Sequence, residues 1–230
     1  MDSSEQPQRR RSIRSFVRRE GRLTPGQQRA LERLWPRYGL AADGRPLDLD
    51  AVFGRQAPRH LEIGFGKGEA LLDMAQAQPE ADFIGIEVFR PGAGHLLRQL
   101  EARGLDNVRV MIADAVEVLR DQIPTRSLAA VYIFFADPWH KKRHHKRRLI
   151  QPAFVDLLAE RMATDGRLYL ATDWQDYAEH MLAVLSASPH FRNAAGSGYA
   201  PRFALRPLTK FERRGQRLGH DVWDLQFIRR

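Results

Sequence analysis

From about Arg59 onward, short apolar runs alternate with amphipathic stretches, and this alternation constrains the fold more than any other feature of the chain. His60–Ile63, Phe83–Glu87, Val108–Ile112, Val131–Phe135 and Leu168–Thr172 read as strands, with helical patterns between them. Strands joined through helices run parallel, so the expected fold class is α/β, a doubly wound and mostly parallel sheet. Asp173–Ser188 carries Tyr177, Met181 and Leu185 at four-residue spacing beside Ala178 and Leu182, which is the core face of an amphipathic helix. Trp223, Leu225 and Phe227 alternate with Asp224 and Gln226, as in a final strand at the sheet.

The N-terminal region follows different rules. Residues 1–22 hold Arg9, Arg10, Arg11, Arg14, Arg18, Arg19 and Arg22 with few apolar partners, so a flexible basic arm is expected there. Thr24-Pro25-Gly26-Gln27 is a capping box with proline at the first helical position, opening a helix with Leu31, Leu34 and Trp35 on one side. A chain of 230 residues then suits one domain, residues 23–230, behind that arm. Its net charge of +9 favours a polyanionic partner. No run of about 18 apolar residues or apolar leader is present, so a cytoplasmic protein without membrane attachment is expected. The absence of cysteine excludes disulfides, thiolate metal sites and thiol catalysis.

Glu62-Ile63-Gly64-Phe65-Gly66-Lys67-Gly68 follows the first strand and opens a helix, so Gly64 and Gly66 let the backbone turn tightly against a ligand. The spacing is one residue shorter than a dinucleotide fingerprint, and Glu62 would repel a pyrophosphate. A ligand bearing an ammonium and a sulfonium, such as S-adenosylmethionine, would be attracted instead. Glu87, ending the second strand, can accept ribose hydroxyls, and Asp114, after the third, can accept an adenine amine. Singly each acid reads first as a solvated loop group or a helix cap; jointly, with the glycine turn, a cofactor site is the expectation.

The fourth strand ends in Phe134-Phe135-Ala136-Asp137-Pro138-Trp139, similar to the Asp/Asn-Pro-Pro-aromatic turn of amino-group methyltransferases. Lys141 to Arg148 follow, with six permanent cations in eight positions. Beside a reaction centre, Arg143, Lys146, Arg147 and Arg148 can neutralise phosphates around a target base. His140 and His144 have the spacing of a helical metal pair, but without a third ligand and amid cations they are not expected to bind metal.

These residues resemble the bacterial tRNA (guanine-N7)-methyltransferase (TrmB) family from Ser15-Phe16-Val17-Arg18-Arg19 to the last strand. The similarity is carried by Leu61-Glu62-Ile63-Gly64-Phe65-Gly66, Gly85-Ile86-Glu87, Asp137-Pro138-Trp139-His140-Lys141, Arg143-His144, Lys146-Arg147-Arg148, Thr172-Asp173-Trp174, and Thr209-Lys210-Phe211-Glu212 with Arg214-Gly215. It implies a Rossmann-like class I S-adenosylmethionine-dependent methyltransferase fold and methylation of guanine 46 in the tRNA variable loop, with S-adenosylhomocysteine as product, by a monomer or homodimer. It also implies that Glu62, Glu87, Asp114 and Asp137 contact the cofactor or lie at the reaction centre, Asp137 being catalytic, and that Lys141, Asp173, Thr209, Lys210, Phe211 and Glu212 contact substrate. Asp173 is equally readable as a cap of the following helix, and Thr209-x-x-Glu212 as a capping box. Ala136 departs from the family, which usually has proline there. The Trp139 ring is expected to help offset the cost of unstacking the target base. Competing readings are a non-catalytic RNA-binding protein, a nicotinamide-dependent oxidoreductase, disfavoured by the glycine spacing and Glu62, and an adenine amino-group methyltransferase, disfavoured by Thr209–Glu212.

Overall fold

The computed structural model describes residues 15–16, 21–207 and 221–230. Thr24 closes the capping box of α1 (Pro25–Tyr38), exchanging hydrogen bonds with Gln27 as expected. α2 (Leu49–Phe53) leads into an alternating series: β1 (Arg59–Ile63), α3 (Glu69–Ala77), β2 (Asp82–Glu87), α4 (Arg90–Arg103), β3 (Val108–Ile112), α5 (Ala115–Asp121) and β4 (Leu128–Phe134). A 3-10 helix (Lys142–Arg147), α6 (Pro152–Arg161), β5 (Met162–Thr172), α7 (Gln175–Ala187), β6 (Phe191–Asn193) and β7 (Trp223–Arg229) follow.

The strands form one sheet in the order β3-β2-β1-β4-β5-β7-β6. The first five are mutually parallel, and β7 runs antiparallel to both β5 and β6. The chain leaves β1 toward β2 and returns to β4 on the other side, so the switch point of the doubly wound sheet lies at the carboxyl ends of β1 and β4.

Alternating side chains feed two cores. Leu61, Ile63, Ile84, Ile86, Val131, Ile133, Leu168 and Leu170 pack on one face with α5, α6 and α7. Phe83, Tyr132 and Phe134 pack on the other with α1, α3 and α4. Covered on both faces, the sheet explains why its strands read as near-continuous apolar runs. At the amino edge of the sheet, away from the switch point, buried Asp82 accepts from Arg55 Nε at 2.9 Å and pairs with Arg59, which is a structural use of charge.

The strand boundaries differ most from the sequence pattern at β4, which starts at Leu128 rather than Val131, and at β5. β4 ends at Phe134, because Phe135 turns into the left-handed region at φ 55°. β5 begins at Met162 rather than Leu168; its register to β4 slips after Met162, and Asp165 has φ 63°. Among the described residues no helix is long and apolar enough to cross a membrane.

Candidate active site

Gly64 and Gly66 both have positive φ, 75° and 58°, so the turn after β1 takes a course that side chains would strain. A Cβ on Gly92, in the first turn of α4, would come within 1.9 Å of the Gly66 carbonyl oxygen; only glycine lets α4 press against this loop. Glu87 fastens the arrangement. Its Oε2 accepts from Gly66 N at 2.8 Å, and its Oε1 accepts from Val88 N at 2.6 Å and Phe89 N at 3.0 Å. A carboxylate has about four acceptor positions, so Glu87 keeps capacity for a ligand hydroxyl.

Over this turn lies a cavity of about 330 Å³ whose walls come from four successive strand ends: Gly64, Glu87, Asp114 and Asp137. Ser15 and Phe16 form part of its rim. Asp114 does two things at once, lining the cavity and capping α5 by accepting from Val116 N at 3.0 Å. Glu62 is not on the wall. It is buried beneath the glycine turn, on the opposite face of β1 from Ile63, and its Oε2 has no hydrogen-bond partner among the described residues. Burial, and secondarily the charge of Glu87, push its carboxyl up to about 8.

The turn that carries Asp137 is bracketed by two non-glycine residues in the left-handed region, Phe135 and Trp139 at φ 51°. Each such residue costs on the order of 1–3 kcal/mol and persists only where its surroundings impose it. Phe135 N donates to Ala171 O at 2.8 Å, and the buried Arg206 guanidinium lies 5.2 Å from the Phe135 ring and 5.8 Å from the Phe134 ring. Arg206 is itself held by Asp224 of β7 at 2.9 Å. Arg148 Nε donates to Pro138 O at 2.9 Å, and Trp139 Nε1 donates to Ser15 O at 3.0 Å. These contacts hold the turn on both sides of Asp137, which is exposed on the cavity wall.

The basic run divides by environment. Lys141, Lys142, Arg143 and Lys146 are exposed, and Arg147 is half-buried with its guanidinium 4.1 Å over the Trp139 ring. Arg148 corrects the sequence reading. It is 3% exposed, paired with Asp176 and 5.1 Å over the Tyr177 ring, so it braces α7 against the Asp137 turn and presents no charge to a phosphate. The Trp139 expectation changes too, since its indole N–H and one ring face are already engaged. His140 and His144 diverge, His140 against Trp174 and His144 against Trp139, and the described residues contain no metal-binding group of three. Asp173 is exposed and does not cap α7, whose cap residue is Trp174. Thr209, Lys210, Phe211 and Glu212 lie outside the described residues, as does nearly all of the 1–22 arm. Sequence reasoning missed Arg206 and Asp224, which no local pattern marks, and Gly92, for which a glycine in the first turn of a helix was a usable signal.

The family model Methyltransf_4, described as "Putative methyltransferase", matches residues 56–225. A tRNA (guanine-N(7)-)-methyltransferase of Alkalilimnicola ehrlichii is 61% identical over 224 residues, covering 96% of this chain and 94% of that protein. One of Sodalis glossinidius is 59% identical, covering 95% and 92%. The chain belongs to the tRNA (guanine-N7)-methyltransferase family. Among solved structures, the 16S rRNA methyltransferase KamB aligns with a TM-score of 0.58 at 14% identity over 80% of this chain and 94% of that one. An antibiotic-related methyltransferase gives 0.52 at 16% identity over 83% and 94%. At those identities the likeness establishes the fold, the Rossmann-like fold of methyltransferases.

The site residues of this family member fit S-adenosylmethionine. An orphaned buried carboxyl under the glycine turn, a second carboxylate beside it and two more around the cavity suit a ligand with a cationic end and hydroxyls, and would repel a diphosphate. The cavity is at the small end of the range for ligand pockets, roughly 300–1,000 Å³.

Proposed function

We propose that this chain transfers a methyl group from S-adenosylmethionine to N7 of a guanine in tRNA, and that the guanine is number 46 of the variable loop. The observation that carries the reading is the convergence of Gly64, Glu87, Asp114 and Asp137 on one cavity, with the exposed cations of 141–146 following directly on the Asp137 turn. Glu87 and Asp114 would hold the ribose and adenine of the cofactor, and Glu62 would balance its positive end from below. When bound, the cofactor supplies an electrophilic methyl group.

N7 of guanine carries a lone pair and no proton, so no residue is needed to generate the nucleophile. Asp137 acts as an orienting group, accepting hydrogen bonds from the edge of the purine and offsetting the positive charge that develops on it. Holding the nucleophile in line can contribute up to roughly 7–11 kcal/mol of barrier reduction. Lys141, Arg143 and Lys146 hold the flanking backbone, and Asp173 and the Thr209–Glu212 segment contact the base or its neighbours.

The reading is tested by tritiated methyl transfer to unmodified tRNA, followed by nucleoside analysis. N7-methylguanosine as the sole product, lost when guanine 46 is replaced in the transcript, is the expected result. A methylated adenine amine, or methylation surviving that replacement, would sink the respective half of the assignment.

A further inference from the structure

Two tryptophans flank the Asp137 turn, and Trp174 is the more exposed of them. Trp139 is committed to Ser15 O and to the Arg147 guanidinium. Trp174 is 39% exposed, one of three large hydrophobic side chains so exposed among the described residues. Its backbone is fixed: Trp174 N donates to Thr172 Oγ1 at 3.2 Å, and its carbonyl accepts from Tyr177 N and Ala178 N, both at 3.0 Å, to start α7. Tyr177 is fully buried, so the indole projects from a rigid base. That base stands at the carboxyl end of β5, next to the end of β4 that carries Asp137. His140, three residues after Asp137, sets its ring perpendicular to the indole with centroids 4.2 Å apart.

We infer that Trp174, steadied by His140, is the platform on which an unstacked base beside the target guanine stacks. The inference rests on the tRNA reading above and names the residue that meets the loop bases. A perpendicular ring pair leaves a broad aromatic face uncovered by its partner. The exposed cations Lys141, Lys142, Arg143 and Lys146 follow His140 in the chain, so a ligand suited to this region is anionic as well as flat. An unstacked nucleotide meets both demands: its base offers a π-face and its phosphates offer the charge.

The test compares Trp174→Ala and Trp174→Phe with wild type on unmodified tRNA, alongside binding to heparin, a polyanion without bases. Trp174→Ala should raise KM for tRNA about tenfold with kcat within about twofold, as for one lost stacked base. Trp174→Phe should recover most of that loss. Stacking releases no counterions, so the salt dependence of tRNA binding, the heparin affinity and the cofactor affinity should all stay as in wild type. Wild-type KM in Trp174→Ala overturns the inference. So does an equal loss in both variants with a lowered melting temperature, which marks a structural residue, and so does a parallel loss of heparin binding. If wild type itself neither methylates nor binds tRNA, the functional reading fails; if it methylates and Trp174→Ala matches it, the stacking platform alone fails.

Discussion

Glu62→Gln is the perturbation that tests the electrostatics of the cofactor site most directly. The Glu62 carboxyl is buried, unpartnered at Oε2, and pushed up from 4.5 to about 8. At pH 7 about nine-tenths of the empty protein therefore carries a proton on Glu62, and at pH 9 about one-tenth. A cation seated over the glycine turn at about 5 Å would favour the carboxylate by about 3 kcal/mol at an effective dielectric constant of about 20, a drop of about two pKa units. Binding should then release close to one proton at pH 7 and almost none at pH 9, and affinity should rise as pH approaches 8 and level off beyond it. The stability of the empty protein should run the other way. Between about 4.5 and about 8 the folded state holds a proton that the unfolded state has lost, so stability falls as pH rises through that window, by about 5 kcal/mol at most. Glu62→Gln should flatten both dependences. Titration calorimetry of S-adenosylmethionine in buffers of different ionisation enthalpy gives the proton count, and the difference between wild type and variant cancels protons released by the ligand's own amine. A zero difference at pH 7 would refute the argument and leave Glu62 a core residue.

Glu87→Ala removes the acceptor that ties Gly66, Val88 and Phe89 together, and should weaken cofactor binding by about 1–3 kcal/mol in the same calorimeter. Asp137→Asn keeps the shape of the turn and removes its charge; turnover should fall by about 100-fold with little change in cofactor affinity, and full turnover would show that the charge is unused. Replacing Lys141, Lys142, Arg143 and Lys146 by serine should flatten the salt dependence of tRNA binding by up to about 0.7–0.9 per lost contact. Arg148→Ala, by contrast, should leave that slope unchanged and lower stability by about 1–3 kcal/mol in thermal denaturation, because Pro138 O and Asp176 lose their buried donor.

The sequence made the parallel strands legible because burial on both faces writes an apolar run, as in Phe83–Ile86 of β2 and throughout β4. It made the four strand-end acids legible because each stands at a boundary that periodicity had already located. It did not distinguish Arg148 from Lys146. The two differ by partners far along the chain, Asp176 and Tyr177, and six cations within eight positions carry no mark of which one turns inward. The same holds for Trp139 and Trp174, whose availability depends on Ser15 and Arg147 for one and on open surroundings for the other. Asp114 shows that a cap and a ligand contact are compatible readings of one residue, since cap and cavity wall meet at the same strand end.

The place of β7 in the sheet has a kinetic consequence. It is the last described strand in the chain, yet it lies between β5 and β6, both made before it. Until it arrives, β5 presents an open row of N–H and C=O groups, and β6, with three residues, is too short to shield them. Closing that gap joins partners separated by residues 173–222, a long-range step of the kind that slows folding and exposes intermediates to aggregation. β7 also carries Asp224, the partner that holds Arg206 against Phe134 and Phe135. The event that seals the vulnerable strand thus also braces the Asp137 turn, so that a partly folded chain lacks both the protected sheet and a finished candidate site.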